Sequence, residues 1–149
     1  MTLEVDTVLV PVDGSVAASN AAEYAVAVAE RYDADLHALF VLADDVAREI
    51  RDGTADEDAV AGDSRAVIDD IRAMAPNDVT VSSSVMHGFS TQRKTHHPGS
   101  VILDTADDVG ADFIVVPRES PGTPDPPGTV LEKVAEYVLL YASQPVLSV

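Results

Sequence analysis

The chain has 149 residues, 46% of them apolar, which suits one domain with a sizeable core and argues against a disordered polymer. Nine Lys and Arg stand against 26 Asp and Glu, a formal charge of −17, and a field of that sign repels nucleic acid and anionic membranes. Cysteine is absent, so the chain has no disulfide framework, no thiol nucleophile and no Cys-ligated zinc.

Only two lysines occur, Lys94 and Lys133, and Asp far outnumbers Glu. That balance resembles cytoplasmic proteins of salt-accumulating microbes, where high ionic strength screens self-repulsion. The opening "MTLEVDTVLV" lacks a basic region and a long apolar stretch, and no run approaches the length of a membrane span. A cytoplasmic location is the expectation.

In chain order, "TVLVPV" (7–12) predicts a buried strand ended by the turn "DGS". From Val16, small apolar residues recur at helical spacing, with Ser15 placed to cap the first turn. "DLHALFVL" (35–42) predicts the second strand, and "ADDVAREIRDG" a helical stretch interrupted at 52–54. A further helix is predicted from about Gly62 to Ala75. "VTVSSSVMHG" (79–88) alternates Val79, Val81, Ser83 and Val85 with other residues, the pattern of a half-buried strand near an edge that ends at Gly88.

Residues 89–99, "FSTQRKTHHPG", predict a polar loop. Beyond it, Ile102, Leu103, Ala106 and Val109 share one helical face, with Gly110 as terminator. "DFIVVP" (112–117) predicts the fourth strand, and "TVLEKVAEYVLLYA" (129–142) a helix whose apolar face runs from Val130 to Tyr141. "PVLSV" closes the chain as a fifth strand. Strands alternating with helices imply one α/β domain over 1–149, a doubly wound parallel sheet with helices on both faces. Ligands of such sheets sit beyond the carboxyl ends of the strands, near the switch point.

The stretches "VLVPVDGSVAASNAAEYAVAVAERYDADLHALFVL", "VMHG", "ADFIVVP" and "GTVLEKVAEYVLLYASQPVLSV", in this order, resemble the universal stress protein (UspA) family over essentially the whole chain. The resemblance implies a five-stranded sheet of order 3-2-1-4-5, of the adenine nucleotide alpha hydrolase-like kind. It also implies a homodimer joined through the final strand, and a site for ATP or AMP with Mg²⁺. Carried over, the site comprises Val12, Asp13, Val41, Gly88, Gly128, Thr129 and Val130. Val12 and Val41 would flank the adenine, and Asp13 would contact the nucleotide or its metal ion.

One departure bears on that site. In nucleotide-binding members the fourth strand leads into Gly, two residues, Gly, nine residues, Gly, then Ser or Thr, and this loop wraps the phosphates. Here Pro117 and Ser120 replace the first two glycines, seven residues instead of nine precede Gly128, and only Gly128 and Thr129 are kept. Positions 117, 121, 124, 126 and 127 are all proline. Such loops hold phosphate with convergent backbone N–H groups, and proline has none. Losing two of these bonds, at roughly 1.5–3 kcal/mol each, lowers affinity by about two to four orders of magnitude. The helix start at Gly128, Thr129 and Val130 still suits a smaller anionic ligand.

The remaining candidates have simpler explanations. Asp13 before Gly14 is also a common turn cap, and Gly88 a common strand terminator. His87, His96 and His97 with Arg93 and Lys94 suit a solvated or dimer-bridging loop better than a metal site, since adjacent histidines in extended chain point opposite ways. Ser82, Ser83 and Ser84 lack a nucleophile-elbow context, and no hydrolase triad can be assembled from spacing. The residues thus point to a universal-stress-type cytoplasmic regulatory or binding protein, homodimeric, with weak or absent ATP binding and no catalytic residues. The alternative is an ATP- or AMP-binding stress-response switch with slow or no hydrolysis.

Overall fold

The β-branched run that reads as a strand forms β1, Thr7–Val12, and the Ala-rich segment after it forms α1, Val16–Tyr32. Ser15 caps α1 by accepting the N–H of Ala18 through its Oγ at 3.1 Å. Asp33 ends the helix in a left-handed conformation, φ 56°, with its N–H turned back to Ala29 and Glu30. Five alanines, at 18, 21, 22, 25 and 29, are buried on the inner face of α1, so the helix axis lies close to the strands beneath it.

The computed structural model describes residues 4–42, 52–53, 56–87, 98–117 and 134–149. After α1 come β2 (Asp35–Leu42), α2 (Glu57–Met74), β3 (Val81–His87), α3 (Pro98–Val109), β4 (Phe113–Val116), α4 (Val134–Tyr141) and β5 (Val146–Ser148). Every strand pair is parallel, and the order is β3-β2-β1-β4-β5. This is the doubly wound sheet that alternating strands and helices imply. α1 packs beside α2, and α3 beside α4, one pair for each face of the sheet.

The core follows from that layering. β1 is central, and Val8, Leu9 and Val10 are inaccessible to solvent, as are Leu36 and Leu39 of β2. Each such side chain contributes about 1.5–3 kcal/mol by leaving water. No helix among the described residues is long and apolar enough to cross a membrane.

At the amino-terminal edge of the sheet, one carboxylate ties β4 to β1. Asp112 Oδ2 accepts the N–H groups of Asp6 at 2.9 Å and Thr7 at 3.2 Å, while the N–H of Asp112 donates to the Thr7 carbonyl at 2.9 Å. Bonds to a charged acceptor exceed neutral ones, but these are partly exposed. Asp112→Ala is expected to lower the free energy of urea unfolding by about 1–2 kcal/mol, with Asp112→Asn recovering part of the loss. Equal stability of both variants with the parent would show that water replaces the carboxylate without cost.

Several boundaries differ from the sequence expectation. α2 starts at Glu57, not near Gly62, because Asp56 accepts the N–H of Asp58 at 3.0 Å and supplies the cap. α3 starts at Pro98, so the end of the expected 89–99 loop is helix; proline suits a first helical position, where its missing N–H has no partner to lose. Val79 precedes β3 and is buried, whereas Val85 is 50% exposed, as befits the edge strand. Tyr141, expected on the apolar face of the last helix, is 66% exposed and stacks at 4.7 Å on Tyr137. Most of the helical stretch expected after β2, and the rest of the 89–99 loop, lie outside the described residues.

Candidate functional site

The strand order reverses where β1 lies between β2 and β4, and this is where a parallel sheet opens a crevice beyond its carboxyl ends. Three described positions converge there. β1 ends at Val12, buried, followed by Asp13 and by Gly14 with φ +85°. β2 ends at Val41 and Leu42, both buried, and β4 ends at Val116 and Pro117, also buried.

The turn after β1 is fixed by Asp13 Oδ1, which accepts the N–H of Ser15 at 2.9 Å. Asp13 therefore serves as the cap of its own turn, and this bond holds the carboxylate at the mouth of the crevice. The left-handed Gly14 lets the chain reverse into α1 there; an L side chain at that φ is strained whatever the space around it.

The two walls of the crevice differ in what they can hold. The β1 and β2 ends supply apolar side chains, Val12, Val41 and Leu42, and one carboxylate. The β4 end supplies Pro117, which has no N–H for a phosphate. Gly88, Gly128, Thr129 and Val130, together with Ser120 and the later prolines, lie outside the described residues. Among the described residues no group of three His, Cys, Asp or Glu side chains could hold a metal ion.

A cleft of about 120 Å³ opens on the α1/α2 side of the β1 end, lined by Val12, Gly14, Ser15, Val67, Ile71 and Met74 among others. Small-molecule sites run to roughly 300–1,000 Å³, so this cleft is smaller than most of them. Asp13, Val41 and Pro117 do not line it.

The structure also assembles a cluster that spacing alone did not show. The β2–β3 register places Ser82 opposite His37 and Ser84 opposite Leu39, and side-chain alternation puts all three polar groups on one face. The His37 ring lies between the hydroxyls: Nδ1 is 2.9 Å from Ser82 Oγ and Nε2 is 2.8 Å from Ser84 Oγ. His37 is only 8% exposed, and burial lowers its pKa below the ordinary imidazole value. The signal that could have found it was the pairing of "DLHALFVL" with "VSSSVMH" in parallel register, which needs the topology first.

That burial has a consequence for stability. A histidine with a depressed folded-state pKa stays neutral in the native state while the unfolded chain takes up a proton as pH falls through about 6.5. Its contribution is thus complete above about pH 6.5 and is lost progressively as pH falls towards the depressed folded value. Urea unfolding of the parent and of His37→Gln from pH 8 to 5 should show the parent's advantage shrinking on acidification. Comparison with the variant cancels the opposite effect of neutralising 26 acids; parallel curves for the two proteins would sink the assignment.

Comparison with known proteins bears on the whole chain. The sequence model of the universal stress protein family matches residues 4–149. Among solved structures, the universal stress protein UspA from Lactobacillus plantarum is similar over 99% of both chains, with 26% identity and a TM-score of 0.69. A universal stress protein solved in complex with cAMP is 19% identical over 99% of this chain and 98% of its own, TM-score 0.62. A universal stress protein from Archaeoglobus fulgidus, solved in complex with dAMP, is 17% identical over 99% and 98%, TM-score 0.63. No curated protein matches the chain.

Proposed function

The chain belongs to the universal stress protein family, and from that premise we propose that it is a homodimeric regulatory protein of the cytoplasm whose crevice takes an adenine nucleoside monophosphate in preference to ATP. The observation that carries this reading is the asymmetry of the crevice. Asp13, held by the N–H of Ser15 at 2.9 Å, and the buried ends of β1 and β2 suit the adenosine half. Pro117, at the buried end of β4, removes an N–H from the half that would wrap a triphosphate.

Two structural relatives support the choice of ligand, since they were solved with cAMP and with dAMP, each carrying a single phosphate. One phosphate asks less of a proline-rich loop than three. Gly128, Thr129 and Val130 are the residues proposed to meet it, with Gly88 near the sugar and Val12 and Val41 beside the base. A Mg²⁺ ion, where a longer phosphate chain brings one, would be met by Asp13. Residues 1–149 act as one domain in this reading, and the short β5 edge is the proposed twofold contact, since an unpaired edge strand invites pairing.

Titration calorimetry with AMP and ATP in high salt tests the proposal: AMP should bind with the lower Kd. Tight binding of ATP by the unaltered protein would overturn it and favour the second reading, an ATP-dependent switch. Hydrolysis, if it accompanies that second reading, is expected to be slow.

A further inference from the structure

We propose that Ser84 is an acyl acceptor, a serine whose hydroxyl is activated by His37 and modified by activated carboxylic esters. The proposal rests on the hydrogen-bonded row Ser82–His37–Ser84, built across β3 and β2 on the face of the sheet that carries Leu39 and Val41. A nucleophile needs a base within hydrogen-bond reach and a third group that orients the base. Both distances here, 2.8 Å to Ser84 and 2.9 Å to Ser82, meet that requirement.

The chemistry is balanced within these groups. In the tautomer that carries its proton on Nδ1, the imidazole donates to Ser82 Oγ, and the bare Nε2 accepts from the hydroxyl of Ser84. Attack by Ser84 Oγ on the carbonyl carbon forms an ester bond and breaks the bond to the leaving oxygen. The serine proton passes to Nε2 and from there to the departing oxygen. Ser82 keeps its own proton throughout and acts as a positioning residue.

Two structural facts favour this assignment. His37 is buried, and its lowered pKa keeps the base in its neutral, proton-accepting form at pH 7. Ser84, in contrast, is half-buried and therefore open to a reagent on one side. It also stands further along β3 than Ser82, towards the carboxyl ends where ligands of such a sheet collect. The product is an acyl-serine on the edge strand, and the donor leaves as its alcohol once Nε2 has returned the proton to the departing oxygen.

The test uses p-nitrophenyl acetate, with release of p-nitrophenol followed in time and the acetyl group located by peptide mapping. One acetyl per chain on Ser84 is the expected result, absent in Ser84→Ala. His37→Gln should label about a hundredfold more slowly, the scale of positioned general-base catalysis, and Ser82→Ala several-fold more slowly. Labelling at the same rate in His37→Gln, or an acetyl mapped to Ser82, Ser83, a tyrosine or a lysine, would overturn the proposal. Should His37→Gln fail to fold, the parent in denaturing urea decides: reactivity that depends on His37 is lost on unfolding, and reactivity that persists excludes it.

Discussion

Replacing Pro117 and Ser120 together by glycine should raise affinity for Mg²⁺–ATP by about a hundredfold while changing AMP affinity less than tenfold. Pro117 is buried at the end of β4, beside the crevice, and glycine there restores an N–H that proline lacks. A phosphate-directed bond of roughly 1.5–3 kcal/mol accounts for a factor of about ten to a hundred. Ser120→Gly adds closer approach of the backbone, since glycine brings no Cβ. The outcome is read by calorimetry in high salt, with both proteins and both nucleotides.

The gain has a structural cost with a predictable sign. Glycine at 117 frees the unfolded chain and weakens the fold by about 0.5–1 kcal/mol, too little to unfold a domain of ordinary stability. Loss of binding through unfolding is therefore separable from loss at the site. Tight ATP binding by the unaltered protein would show that the prolines are harmless. No binding of either nucleotide to either protein would leave a dimeric interaction module in place of a ligand-controlled one.

What the sequence disclosed, and what it hid, follows from the range of the interactions involved. β1 and β2 are visible because their signals are local: a β-branched run ended by "DGS", and the strand-length run "DLHALFVL", apolar at six of its eight positions, before the polar stretch after Leu42. The Ser15 cap is visible for the same reason. The start of α2 is hidden in "TADEDAVAGD", where several acids are equally good caps and only the fold selects Asp56. The site divides along the same line. Asp13 and Pro117 stand out because each follows a legible strand, yet the row from Ser82 through His37 to Ser84 spans 45 and 47 residues of sequence and exists only through strand register.

The contact between α3 and α4 is a second long-range feature, and a single methyl group tests it. A Cβ on Gly99 would run into Tyr137 Cδ1 and lie 2.9 Å from Cγ and 3.0 Å from Cβ. The last of these is the root of the tyrosine, so rotating the ring does not relieve it, and the two helices must part. On helix propensity alone, Gly99→Ala would stabilise α3 by about 0.5–1 kcal/mol. Overpacking costs about 1–3 kcal/mol, so the clash wins and the variant should be less stable by about 1–2 kcal/mol. In a Tyr137→Ala background the contacts to the ring are gone and only the contact to Cβ remains, so the same Gly99→Ala change should cost less. That reduction in a double-mutant cycle separates close packing from any intrinsic need for glycine.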